Sequence, residues 1–315
     1  MKRARLAAVA IVVLVSSVWI PAREQAPQAS GGGQADAAAA QEGGGRQGGG
    51  GRGGGAPRAR QRKVVLAWAD TRNGQAQHDS TSHALAVIEQ LGYESGAYDT
   101  YIRTDSNIIA ATPLMTTGAR ASGGPSLATV DAIFFMGHRE VALDPKQRDE
   151  LAAYVRDGHG FVAAHVGLTA FESWPEWGAL IGARYDGHPW GGTNVGTVIN
   201  EDPSFPATKH FPATFQFRDE FYQAKDGGRD KFRVLLRLDV NSMPPHEQLR
   251  NRDYPIAWAK MYGKGRVFYS SLGHATETWD NRDVRLMYFE AIKWALGLTD
   301  GDATPRPAPA ATAAR

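Results

Sequence analysis

His165 closes the run Gly160-Phe-Val-Ala-Ala-His-Val-Gly167, in which four apolar residues lead straight into an imidazole and a glycine follows two positions later. His274 stands in a similar place, in Gly273-His274-Ala275-Thr276-Glu277 just after the apolar run Val267–Ser270. Imidazoles at two strand ends can meet on one sheet edge although 109 positions separate them in the chain. There they could relay a proton, hold a metal, or hydrogen-bond a polar ligand. Asp219-Glu220-Phe221-Tyr222 adds adjacent carboxylates among aromatics; one could face inward as base or ligand, or both could be solvated. Tyr185–Trp190 is a turn holding Asp186 and His188, and Pro189 keeps the preceding backbone extended. His78-Asp79 precedes a helix and could cap it or face a ligand. Trp174, Trp177, Trp190 and Trp279 should border the same edge, as sugar-stacking faces or as packing. His159 and His210 read as surface residues, and His246 as part of a polar loop.

The elements that would position these groups alternate. Lys63–Ala69 is an apolar strand, followed by a helix with Ala84, Val87, Ile88 and Leu91 at helical spacing and Gly92 as its C-terminal stop. A second strand is expected around Ser95–Thr100, a Gly/Thr/Ser-rich loop over Thr112–Ser126, and a strand over Ala132–Met136 ending in Gly137-His138. Asp144-Pro145 opens the next helix and Gly158 stops it. The central strand, buried on both faces, then runs from Gly160 to His165, and Ser173 reads as the N-cap of a following helix with Glu176 completing a capping box. This alternation predicts a mostly parallel sheet covered on both sides, with ligands at its carboxyl edge. After residue 182 the pattern changes to strands with few helices, over Thr193–Ile199, Thr214–Phe217, Phe232–Leu238, Ile256–Lys260 and Arg266–Ser270. Tyr262-Gly263-Lys264-Gly265 makes a hairpin of the last two, and a closing helix through Val284, Met287, Tyr288, Ala291 and Ala295 ends at Gly297.

Not all of the 315 residues should fold. Residues 1–29 read as a signal peptide, with Lys2, Arg3 and Arg5 before an apolar core at Leu6–Ile20. That core is short of the roughly 20 residues of a spanning helix, so membrane contact would come only through an uncleaved leader. Residues 30–62 form a linker with 13 of the 36 glycines, residues 63–299 one domain, and residues 300–315 a Pro/Ala-rich disordered tail. Residues 1–62 hold 9 of the 35 Lys and Arg and 3 of the 33 Asp and Glu, net +6, which leaves 26 and 30, net −4, for the rest. The basic pI of 8.8 therefore belongs to the leader and linker, and a nucleic-acid-binding domain is disfavoured. With no cysteine there is no thiol nucleophile, thiolate ligand or disulfide. A periplasmic or secreted location fits. Asp70-Thr71-Arg72-Asn73-Gly74 follows the first strand where a dinucleotide fingerprint would stand, and neither a phosphate loop nor a Gly-x-Ser-x-Gly elbow occurs, so no nucleotide cofactor is expected.

In order, several stretches form a pattern: His78-Asp79-Ser80, Gly160-Phe-Val-Ala-Ala-His165, Gly187-His188-Pro189, Glu201-Asp202-Pro203-Ser204-x-Pro206-Ala207-Thr208, Asp219-Glu220-x-Tyr222, Pro255-Ile-Ala-Trp258 and Gly265-Arg-Val-Phe-Tyr-x-x-Leu-Gly-His274. In these the chain resembles the ThuA-like, trehalose-utilisation-type family over nearly all of Lys63–Leu298. The resemblance implies a three-layer α/β/α fold, flavodoxin-like and close to class I glutamine amidotransferases, with extra antiparallel strands in the C-terminal half. It aligns His165 with the amidotransferase nucleophilic cysteine, and His274 with Glu277 near the His-x-Glu end of that triad. Glutamine hydrolysis through a thioester is then not available, and a role with sugars or keto-sugars is implied. Family members often carry His before the Pro-x-Ala-Trp run, where this chain has Tyr254.

Two functions fit. In the first, an exported enzyme acts on a carbohydrate or its oxidised derivative, with His165 and His274 as acid/base groups or ligands, Glu277 orienting His274, and Asp219 or Glu220 as a second base. His78, Asp79, His188, Trp190 and Tyr222 would bind substrate, and a divalent metal such as zinc would use His165, His188 and Glu220. In the second, a tethered non-catalytic carbohydrate-binding module uses the same histidines only to hydrogen-bond hydroxyls. Either leaves room for a homo-oligomer.

Overall fold

A computed structural model describes residues 62–115 and 117–308. The leader over 1–29, the linker except Arg62, and residues 309–315 lie outside the described residues. The first half alternates β1 (Lys63–Trp68), α1 (Ser80–Ser95), β2 (Tyr98–Arg103), β3 (Ala132–Phe135), α2 (Pro145–Arg156), β4 (Gly160–Ala164) and α3 (Pro175–Ile181). The second half holds β5 (Arg184–Tyr185), β6 (Val195–Asn200), β7 (Thr214–Arg218), β8 (Ala224–Lys225), β9 (Arg233–Asp239), β10 (Pro255–Tyr262), β11 (Gly265–Ser270), α4 (Thr276–Asp280) and α5 (Arg282–Ala295).

Nine strands form one sheet in the order β2-β1-β3-β4-β11-β10-β9-β6-β7, and β5 pairs with β8 separately. The first five are parallel to one another, whereas β10, β9, β6 and β7 pair antiparallel, so the change of pattern after residue 182 is a change of strand direction within one sheet. The parallel half has the flavodoxin-like strand order, with its switch point between β1 and β3. The crossovers β1-α1-β2 and β3-α2-β4 run in opposite directions, and right-handedness puts their helices on opposite faces. With both faces covered, β4 is buried at every residue, and Phe161 and Val162 each contribute roughly 1.5–3 kcal/mol by leaving water.

Local signals are met with instructive exceptions. Asp144 caps α2 in a full capping box with Gln147. Helix α1 does not stop at Gly92. It runs to Ser95, Gly96 takes the left-handed turn at φ 65°, and β2 accordingly starts three residues later than expected. Gly92 serves packing instead, because a Cβ there would lie 2.5 Å from the Tyr98 ring. Ser173 does not cap α3 either; its hydroxyl donates to Glu140, and Trp174 occupies the cap position with no side-chain bond.

The expected disordered tail is corrected over 300–308. Asp302 pairs with Arg233, Arg306 donates to the Glu201 carbonyl, and Ala303 is buried. Behind this strap, Glu201 binds Arg229 and Arg237, and Asp202 binds Arg233 at 2.5 Å. Burial opposes the Asp202 charge, but the bonds from Arg233 and Ser204 outweigh it and hold the carboxyl below its usual range. A carboxylate with a lowered folded pKa stabilises fully above its unfolded value, about 4, and loses that contribution as pH falls through the folded value. Asp202→Asn is expected to cost roughly 1–3 kcal/mol at pH 7 and to flatten the acid limb below about pH 4. Urea unfolding at a series of pH values checks both; an unchanged acid limb would show that the pair does not control it.

Candidate functional site

Four chain segments meet at the carboxyl edge of the parallel strands. His78 follows β1, His165 follows β4, His274 follows β11, and Glu220 lies in the connection after β7. His165 begins a short 3-10 turn (His165–Thr169) with φ 39°, a left-handed conformation forced on a non-glycine residue where the strand breaks into the turn. Its Nδ1 lies 2.6 Å from the Ser271 carbonyl, which can only accept, so Nδ1 carries the proton and Nε2 presents its lone pair. The ring is fully buried and stacks on Tyr222 with centroids 4.2 Å apart. Burial holds its pKa below the ordinary histidine value, against the pull of Glu220.

One carboxylate oxygen gathers the cluster. Glu220 Oε2 is 3.3 Å from His274 Nδ1, 3.6 Å from His165 Nε2 and 4.0 Å from His78 Nε2. The other oxygen, Oε1, is 3.3 Å from His188 Nδ1. Burial opposes the Glu220 charge, yet His165, His274, His78 and His188 outweigh it and hold the carboxyl far below the usual range. The contact with Glu220 raises the His274 pKa in turn. His165 Nε2 and His274 Nδ1 are buried and neither finds a hydrogen-bond partner.

The spacing suits a cation better than a hydrogen-bond network. Donor atoms held tetrahedrally at zinc distances stand about 3.3 Å apart, and the closest contact to Oε2 has that length. The four donor atoms all lie within 4.8 Å of one another. Three imidazoles and a carboxylate are a donor set that zinc accepts. Of the set expected from the sequence, His165 and Glu220 lie in this group, whereas His188 sits on the far oxygen and His78 and His274 face the near one.

Asp219 is not a second base facing substrate. Its buried carboxylate accepts from the backbone N–H of Glu220, Gly273 and His274 at 2.8, 2.9 and 3.1 Å and from the Thr278 hydroxyl at 3.3 Å. It thereby ties the Glu220 segment to the loop that carries His274. Glu277, expected to orient His274, is exposed and makes no hydrogen bond to it; Glu220 is the carboxylate on that ring. Asp79 is exposed beside His78 and makes no side-chain cap. Trp190 is buried and donates to the Pro244 carbonyl, so it offers no open face. Trp174, Trp177 and Trp279 are buried too; Trp177 and Trp279 donate to the carbonyls of Gly167 and Gly273, bracing the loops beside His165 and His274. Tyr254 donates to the Phe221 carbonyl and supports the Glu220 segment from behind.

One residue of the site was passed over in the sequence. His138 lies three residues past the end of β3, packs edge-on against His78 at 5.3 Å and bonds the Ala76 carbonyl through Nδ1. Its place in Gly137-His138 at a strand end was the available signal. His78, Asp79, His138 and His274 line a cleft of about 530 Å³ over the cluster.

Residues 64–295 match the family model described as trehalose utilisation. The chain belongs to the ThuA family. The ThuA fold is shared with a ThuA-like protein from Bacteroides uniformis, at TM-score 0.60 and 20% identity over 76% of this chain and 94% of that one. A ThuA-like protein from Parabacteroides merdae follows at TM-score 0.58 and 17% identity, over 79% and 94%. No match is found among curated proteins. Among the described residues no helix of this ThuA-family chain is long and apolar enough to cross a membrane.

Removing the Asp219 carboxylate leaves buried N–H groups without an acceptor, each costing about 1–3 kcal/mol. Asp219→Ala should therefore cost at least ~3 kcal/mol in urea unfolding, while Glu277→Ala stays within ~0.5 kcal/mol. Similar costs for the two would overturn these roles. At Gly192 a Cβ would lie 2.4 Å from the His274 ring. Gly192→Ala is expected to shift the His274 resonances in a proton–nitrogen NMR spectrum while the melting temperature falls by only a few degrees.

Proposed function

We propose that this ThuA-family protein is an exported enzyme acting on a carbohydrate or an oxidised carbohydrate such as a keto-sugar, with a divalent cation of the zinc type held by His78, His165, His274 and Glu220. The observation that carries the reading is the convergence of three imidazole nitrogens on one carboxylate oxygen, two of them buried without a hydrogen-bond partner. When bound, such an ion polarises a carbonyl or lowers the pKa of a water. The chain's own residues supply the rest. The Ser271 carbonyl fixes the His165 tautomer, Tyr222 holds the ring in plane, and Asp219 keeps the His274 backbone in register with Glu220. His188, with its ring 42% exposed, links Glu220 Oε1 to solvent and gives a proton a route in or out.

The family description supports a sugar substrate, and the side chains of Gln77, Asp79, His138 and Glu277 that line the cleft beside the cluster support a ligand rich in hydroxyls. The basic residues and apolar core within residues 1–29 support export to the periplasm or medium.

Metal content and melting temperature of the purified full chain test the centre. About one zinc per chain is expected after reconstitution, with a melting point that falls on chelation, and His78→Ala or His274→Ala should lose the ion while remaining folded. A chain that takes up no ion and melts unchanged with chelator would sink the metal reading. Turnover of a panel of sugars and 3-keto-sugars tests the reaction. Sugar affinity with no turnover of any of them would support the carbohydrate-binding module instead.

A further inference from the structure

A second cleft, of about 590 Å³, opens on the other side of the His274–Glu277 segment and shares His274, Ala275 and Glu277 with the first. Its remaining walls come from Gly192-Thr193, from Gln216, Phe217 and Arg218 at the end of β7, and from Thr278 and Asn281. Strand β7 is the last of the sheet, so its outer side has no neighbouring strand.

The polar groups of this cleft are only partly used by the protein. Gln216 donates through Nε2 to the Thr197 hydroxyl, which leaves its Oε1 as a free acceptor. Asn281 Oδ1 accepts the N–H groups of Asp283 and Val284 at the start of α5, which leaves its amide N–H donors. Among the described residues Arg218 has neither a carboxylate partner nor a hydrogen bond, and it is exposed. An unpaired guanidinium presents a planar fork of donors that matches a carboxylate in two parallel bonds. The lining sets one acidic group, Glu277, against Arg218 and the His274 imidazole. With one guanidinium fork free, it suits a single carboxylate accompanied by hydroxyls.

We propose that this cleft binds the carboxylate end of a sugar acid: the carboxylate on Arg218, hydroxyls against Gln216, Asn281 and Glu277, and an apolar ring edge against Phe217. The substrate would then enter the site from the β7 side, with the adjoining carbon beside His274. The inference rests on the carbohydrate reading above and narrows the substrate to an anionic, oxidised sugar.

Isothermal titration calorimetry on the full chain at fixed ionic strength tests it, with glucuronate and glucose as the probes. The wild type is expected to bind glucuronate at least tenfold more tightly than glucose. Arg218→Gln should bring the two within about threefold by weakening glucuronate alone, since charge-assisted bonds to a carboxylate are worth an order of magnitude or more. Lys146→Gln, which removes an exposed cation of α2 outside the cleft, should keep the preference. Equal affinities in the wild type, no binding of either probe, or a preference that survives Arg218→Gln would overturn the proposal. So would a preference lost in His78→Ala and kept in Arg218→Gln, since the carboxylate would then sit on the histidine cluster. Arg218 is exposed at a strand end, and a melting curve verifies that the variant folds. Zinc content is read separately, so failure of the metal centre and failure of this cleft give different results.

Discussion

The buried carboxylate of Glu220 is the constraint on which the rest of this edge depends. Taking a carboxylate out of water is costly unless its oxygens are met by donors or cations. Here imidazoles from four segments meet it: His78, His165 and His274 at one oxygen and His188 at the other. None of the four is adjacent to Glu220 in the chain, so the charge is tolerable only when the whole sheet has assembled. The same dependence couples the site to folding, because unsatisfied Glu220 would destabilise the edge that carries it.

The sheet makes the convergence available by joining two halves of different construction. The parallel half delivers imidazoles at the ends of β1, β4 and β11, where successive parallel strands all finish on one edge. The antiparallel half delivers the carboxylate and His188 from connections that fold back over that edge. Strand β11 is the join, parallel to β4 on one side and antiparallel to β10 on the other. Asp219 then locks the halves together, since one side chain bonds the backbone of both the Glu220 and the His274 segments. His165 occupies a turn with positive φ at the end of a central strand. An imidazole in that turn, with its tautomer set by a carbonyl, is built to present a lone pair and not to attack as a thiolate would.

Much of this was legible in the sequence because the signals are local. The apolar run of β4, the Asp144-Pro145 helix start, the Tyr262–Gly265 hairpin and the period-3.6 pattern of α5 depend on neighbours within a few positions, and each holds. The misreadings have the opposite character. Gly92 resembles a helix stop, but Tyr98 packs onto it and the helix continues. Tryptophans at the edge resemble stacking platforms, yet their N–H groups are spent on Gly167, Gly273 and Pro244. Residues 300–308 have the composition of a loose tail, but Asp302 and Arg306 find charges brought near by β9 and the Glu201-Asp202 segment.

By itself the sequence determined the family, the α/β class, and the strand-end positions of His165 and His274, since periodicity and order along the chain are enough for these. Only the tertiary structure decided which acid does what. Asp219 and Glu220 are identical in sequence context until four donors from Glu220, Gly273, His274 and Thr278 claim the first and four imidazoles surround the second. Glu277, nearest to His274 in the chain, is left in solvent because α4 turns it outward. Electrostatic roles of this kind depend on distances of 3–4 Å between groups scores of residues apart, and no spacing along the chain encodes them.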